Sequence, residues 1–136
     1  LKTLNSKQNL AVILGNNNEY RKAIQLLKEV LLIRREKVNG NPNDDQDDLS
    51  IPFLSSTLSA LGKVCGQDNC YEEGITYLQE SIEIRRKLLA DNRIPYKQLI
   101  MVLDRIKEIY KLSSKEEKLL EIESEIEKII SDNKKS

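Results

Sequence analysis

The residues able to do chemistry are few and do not converge. Cys65 and Cys70 are the only two cysteines, and the chain has no histidine, so neither a zinc site nor a histidine-activated nucleophile can be assembled from it. Neither cysteine has a base or metal companion, which marks both as free thiols with packing roles. Asn43, Asp44, Asp45, Asp47 and Asp48 form an acidic loop. A calcium-binding EF-hand loop needs Gly at its sixth position and Glu at its twelfth, and counting from Asn43 gives Asp48 and Leu54, so the spacing that encloses the ion is missing. The loop reads as a solvated surface segment suited at most to a basic partner. Carboxylates elsewhere are scattered, with no glycine-rich phosphate loop, and no catalytic or metal residue is assigned.

Two arginine pairs stand out by their register. Arg34 with Arg35 and Arg85 with Arg86 lie 51 positions apart. Adjacent guanidiniums could clasp a phosphate or a carboxylate. Cations near a helix C-terminus also offset the negative end of its dipole, and the lysines that follow favour that structural reading.

The elements that must position these groups follow from composition and periodicity. In 136 residues, 39% are hydrophobic and only 4% aromatic, with five Gly and three Pro. That supply fills one core and favours helices. Lys plus Arg and Asp plus Glu number 22 each, for a net charge of zero, which leaves no bulk field to gather nucleic acid or anionic lipid. No apolar run reaches the roughly 18 to 20 residues that span a bilayer, and no leader pattern is seen. A soluble, cytoplasmic chain without cofactor is expected.

An internal repeat organises the sequence. Leu10, Gly15, Tyr20, Ala23, Leu27, Ile33, Arg34 and Arg35 are matched, 51 positions later, by Leu61, Gly66, Tyr71, Gly74, Leu78, Ile84, Arg85 and Arg86. Each copy opens with an apolar helix. In the first, Leu10, Ile13 and Leu14 form a face that ends at Gly15, and Asn16 to Asn18 supply turn chemistry. A long amphipathic helix follows from about Glu19, with Tyr20, Ala23, Ile24, Leu27, Val30 and Leu31 on one side. In the second copy Ser50 and Pro52 open a helix, Gly66 to Asn69 make the turn, and Tyr71 to Leu89 is helical. A fainter third copy opens at Ile94 and Pro95, breaks at Ser113 and Ser114, and ends in a helix over about 115–130. One side of that last helix carries Leu119, Ile122, Ile126 and Ile129 among Glu and Lys, the make-up of a terminal cap. The expected architecture is one domain over 1–136 with hairpins at about 3–38, 50–90 and 94–132.

Leu10 beside the small Ala11, then Tyr20, Ala23, Leu27 and Val30, resemble a tetratricopeptide repeat. Leu61, Gly62, Tyr71, Gly74 and Leu78 repeat the frame. The long second helices ending in Ile-Arg-Arg before an extended loop are similar to the longer repeats of kinesin light chains. The resemblance covers about 10–130 and departs from the family pattern at Lys107 and Leu119, where small residues are usual. It implies an all-α, right-handed solenoid of three antiparallel hairpins. It also implies a non-catalytic adaptor or scaffold that binds a peptide or partner subunit, with a constitutive structural subunit of a larger assembly as the alternative. The clamp by which some members hold a chaperone's terminal carboxylate is absent, because Gln8, Val12, Ala60, Asp104 and Glu108 occupy its positions.

If the hairpins stack as in that family, the first helix of each lines a concave face. The candidate partner-binding residues are then Asn5, Gln8, Asn9 and Val12 in the first hairpin, Ser56, Ser59 and Lys63 in the second, and Met101, Asp104, Arg105 and Glu108 in the third. They make a mixed polar groove suited to a protein or peptide rather than to nucleic acid or membrane; the same positions could equally be the solvated side of the helices.

Overall fold

The computed structural model describes residues 3–40 and 49–134. These form six helices and no strand: α1 (Leu4–Asn16), α2 (Tyr20–Gly40), α3 (Ser50–Gln67), α4 (Tyr71–Ala90), α5 (Tyr96–Leu112) and α6 (Glu116–Lys134). The acidic loop at 43–48 lies outside the described residues. Consecutive helices pack together, and α3 also touches α1 and α5. The first helices of the three hairpins therefore lie side by side, the arrangement of a helical repeat stack.

The turns inside the hairpins are built alike. Backbone N–H groups of Glu19, Cys70 and Lys115 donate to the carbonyls of Leu14, Cys65 and Tyr110 at 2.8, 2.8 and 2.9 Å. The residue before each donor is left-handed: Asn18 at φ 67°, Asn69 at 64° and Ser114 at 58°. Asn tolerates that region better than other non-glycine residues, and the left-handed residue lets the last carbonyls of the helix be satisfied. The Tyr20 and Tyr71 hydroxyls donate to Asn18 Oδ1 and Asn69 Oδ1 at 2.8 and 3.0 Å, which ties each turn to the helix that follows. The asparagines thus make the turns that the sequence assigned in part to Gly15 and Gly66. Both glycines sit within helices.

Those glycines are seats for the next hairpin. A Cβ on Gly15 would stand 3.4 Å from Val64 Cγ2, and one on Gly66 would stand 2.8 Å from Ile109 Cδ1. Val64 and Ile109 are 45 positions apart, so the third copy follows the second at a shorter offset than the second follows the first. Within the second hairpin, Gly62 lies against Leu78 and Gly74, where a Cβ would meet Leu78 Cγ at 2.5 Å and Gly74 O at 3.0 Å. Ala11 and Ala23, both fully buried, hold these places in the first hairpin. Small residues let the paired helices approach until larger neighbours fill the remaining space.

The core falls into two clusters that meet along α3 and α4. Leu27, Leu31, Leu58 and Leu61 belong to the cluster between the first and second hairpins. Leu78, Ile82, Leu103 and Ile106 belong to the one between the second and third. Helix α3 is covered on most sides, which is why it carries Ser55, Thr57 and Ser59 in buried places. Their hydroxyls are satisfied: Ser55 Oγ accepts from Arg85 Nε at 2.7 Å, Thr57 Oγ1 donates to Gln8 Oε1 at 2.6 Å, and Ser59 Oγ accepts from Arg105 Nη1 at 2.6 Å. A buried hydroxyl without such a partner would cost about 1–3 kcal/mol.

The arginine pairs are structural, for a reason more specific than the helix dipole. Successive helical residues point about 100° apart, so one member of each pair turns inward and the other reaches sideways. Arg34 is buried, donates from Nη2 to Asn5 Oδ1 at 2.8 Å and lies 4.9 Å from the centroid of the Phe53 ring. Arg85 is buried likewise, donating from Nε to Ser55 Oγ at 2.7 Å and from Nη1 to Gln98 O at 2.8 Å. Arg35 and Arg86 each send a two-pronged fork into the next hairpin. Arg35 reaches Glu80 at 2.6 and 2.8 Å, and Arg86 reaches Glu125 at 2.9 and 2.5 Å. These paired contacts lock the second helices of adjacent hairpins in register.

Candidate functional site

The row formed by α1, α3 and α5 carries every candidate partner-binding residue. The structure divides them into two groups. Asn9, Val12, Met101, Asp104 and Glu108 are exposed, and Lys63 is half-buried. Asp104 and Glu108 face Lys107 and Lys111 one turn later at 3.8 Å. The remaining five are hydrogen-bonded to a neighbouring helix. Gln8 donates from Nε2 to Ser56 Oγ at 2.9 Å while its Oε1 accepts from Thr57, linking α1 to α3. Arg105 donates from Nη1 to Ser59 Oγ at 2.6 Å, linking α5 to α3, and Ser59 is buried. Asn5 is exposed, but its Oδ1 holds Arg34.

Between the C-terminal halves of α3 and α5 lies a cleft of about 240 Å³, lined by Lys63, Gly66, Gln67, Arg105, Glu108, Ile109 and Leu112. Its floor is Gly66, Ile109 and Leu112, with Leu112 61% exposed. Its rim is Lys63, Arg105, Glu108 and Gln67. The space is below the roughly 300–1,000 Å³ of cofactor-sized sites and suits a single apolar side chain. Ile109 occupies the space that a side chain at Gly66 would need, and Leu112, one turn on, is largely exposed. Sequence reasoning found Lys63, Arg105 and Glu108 but not Gln67, Ile109 or Leu112. The signal for the last two was the alignment of Ile109 with Val64, visible only once the 45-residue offset is known.

Positive charge collects beside this cleft. Burial holds the Arg105 guanidinium below its ordinary range. Burial, and then the neighbouring charge of Arg105, push Arg85 down to about 10. Arg85 and Arg105 meet Ser55 and Ser59, one turn apart on α3, rather than carboxylates. By contrast, the hydrogen bonds that Arg35 and Arg86 donate to the Glu80 and Glu125 carboxylates raise both guanidiniums. Cys65 is fully buried, and desolvation, reinforced by the charge of Glu73, pushes its thiol up to about 12; its thiolate is suppressed rather than activated. Among the described residues no group of three or more His, Cys, Asp or Glu side chains could hold a metal ion. None of the described helices is long and apolar enough to cross a membrane.

Residues 3–47 match the tetratricopeptide repeat family. No curated protein matches the chain. The match takes in the first hairpin, and the second and third hairpins continue the same side-by-side packing, α1 on α3 and α3 on α5.

Proposed function

We propose that this stack of tetratricopeptide-like hairpins is a protein-binding module that takes a segment of a partner on the row of α1, α3 and α5. The observation that carries the reading is the small apolar cleft at Gly66, Ile109 and Leu112, with Lys63 and Arg105 on its rim. One aliphatic or aromatic side chain fits the floor. An acidic group beside it meets Lys63 and Arg105, and exposed Asn9, Met101 and Asp104 extend the surface along the row. An apolar anchor ringed by polar contacts is how peptide-recognition surfaces combine affinity with orientation. No step of bond making is assigned to the site, and the role is one of binding.

The test is selection of peptides on the full chain from a displayed random library, followed by titration of a selected peptide. Enrichment of an apolar residue next to Asp or Glu is expected. Lys63→Glu and Leu112→Asp, both at exposed or half-exposed positions, should each weaken binding by about tenfold or more while the helical circular dichroism is unchanged. Selected peptides that bind both variants as well as the parent would remove the cleft from the proposal.

A further inference from the structure

Three cations are held along one face of α3 without a carboxylate. Ser55, Ser59 and Lys63 follow one another at intervals of four residues, so they stand on successive turns of the same face. Ser55 Oγ accepts from Arg85 Nε at 2.7 Å, and Ser59 Oγ accepts from Arg105 Nη1 at 2.6 Å. The two serines thereby bring a guanidinium from α4 and another from α5 into line with Lys63, in a row about 12 Å long at the rise of an α-helix. None of the three cations has an ion-pair partner among the described residues, and the carboxylate on the cleft rim, Glu108, meets Lys111 at 3.8 Å instead. Burial lowers both guanidiniums and the charge of Arg105 lowers Arg85 further, as like charges held close must.

Geometry and charge narrow what this row can take. Where arginine holds a carboxylate in this chain it does so by a two-pronged fork, as Arg35 does with Glu80 and Arg86 with Glu125. Arg105 instead has an Nη1 bond committed to Ser59, and Lys63 offers single bonds from a point charge. Single donors arriving from two helices suit the tetrahedral oxygens of a phosphate better than the plane of one carboxylate. A carboxylate also cancels only one of the two rim charges, whereas a phosphate monoester carries about −1.5 to −2 at pH 7 and cancels both. Arg85, 6% exposed, is shut away from any ligand and adds its field from behind.

We propose that the acidic group received beside the apolar cleft is a phosphate on a partner's side chain, which makes the face between α3 and α5 a reader of phosphorylated segments. The phosphorylated residue meets Lys63 and Arg105, and an apolar neighbour covers Ile109 and Leu112. This rests on the binding role given to the cleft above and adds the modification that selects the partner.

The test titrates the full chain by calorimetry with a peptide selected on the cleft, made in three forms that carry phosphoserine, Glu or Ala at the acidic position. The phosphoserine form should bind about tenfold or more tighter than the Glu form at pH 7. Its advantage should shrink as the pH is lowered from about 7 to about 5, because the phosphate takes up a proton near pH 6. The charged groups around it are Lys63 on α3, Arg105 and Glu108 on α5 and Arg85 on α4, and the chain has no histidine, so a change centred near pH 6 belongs to the phosphate. Lys63→Ala should bring the phosphoserine and Glu forms close together, while Leu112→Asp should weaken all three; circular dichroism checks that both variants are folded. Equal affinity of the phosphoserine and Glu forms, or a phosphoserine preference that survives Lys63→Ala, would overturn the proposal and leave the cleft a site for acidic peptides. So would displacement by inorganic phosphate at the peptide's own concentration, which would give the row to a free anion. If no form binds, the binding role of the cleft falls as well.

Discussion

The second and third hairpins close their two helices by different means. In the second, Gly62 and Gly74 bring α3 and α4 so near that a Cβ at Gly62 has no room. The two helices bury Leu58, Leu61, Leu78 and Ile82 on both sides of the contact. In the third, the same repeat positions hold Lys107 and Leu119, and Ile122, still 9% exposed, is the one buried residue of α6 among the described residues. Leu119, Ile126 and Ile129 are only partly covered. Side chains in place of small residues keep α5 and α6 further apart, so less apolar area leaves water and the last hairpin gains less from packing. A stack of this type has a stiff centre and a softer end, because each helix is stabilised chiefly by its neighbours.

Truncation in the two cores is the strongest way to test that contrast. Leu78→Ala, at a fully buried position packed against Gly62 and in the cluster shared with the third hairpin, should cost about 2–5 kcal/mol in denaturant unfolding. Ile122→Ala should fall at or below the lower bound, because Ile122 retains contact with water. Equal losses would mean that α6 is as tightly held as α4. The small-residue contrast comes next. Gly62→Ala should destabilise by about 1–3 kcal/mol despite the better helix propensity of Ala, since Leu78 and the Gly74 carbonyl stand in the way. Lys107→Ala should stay within about 0.5 kcal/mol of the parent, as the residue is half-exposed and pairs with Asp104 only at 3.8 Å.

The arginine forks bear on both seams. Double-mutant cycles for Arg35 with Glu80 and Arg86 with Glu125 should each return about 0.2–1 kcal/mol, because all four groups retain access to solvent. The coupling should shrink as salt is raised. Coupling that salt leaves unchanged would place the forks in a drier seam than the structure shows. The smallest effect concerns Cys65. With its thiol pushed up to about 12, it should resist alkylation at pH 9 in the folded chain and react on unfolding, while the less buried Cys70 reacts first. The folded pKa is the higher one, so the unfolded chain loses this proton first as pH rises. The associated stability is full below pH 9 and falls away toward pH 12. Prompt labelling of Cys65 at pH 9 would show that the junction of α3 and α4 opens readily.

Several of these features were legible in advance. The 51-residue register located the first two hairpins, their second helices and the turns within them, because Leu, Ala and Gly recur there at helical spacing. Lys63 lies on α3 and Arg105 and Glu108 on α5, the first helices of their hairpins that the helical spacing marks out. The cleft itself was not legible. Its floor depends on Ile109 filling the space above Gly66, a contact between residues 43 apart in a copy whose offset had shortened to 45. Nor could periodicity tell that Leu10 and Ile13, apolar and correctly spaced, face outward. Their counterparts Leu61 and Val64 have the same pattern and are buried.

By itself the sequence determined the helices, their pairing and the positions of the turns, since these follow from local periodicity and from residues such as Asn18 and Asn69 that accept a left-handed backbone. Only the tertiary structure decided which equivalent side chains are covered and which guanidiniums turn inward. It also decided whether a hydroxyl such as that of Ser59 faces a partner or its own neighbour. Burial and hydrogen bonding are properties of what lies opposite, and in a repeat stack that is set by the adjoining hairpin rather than by the residue.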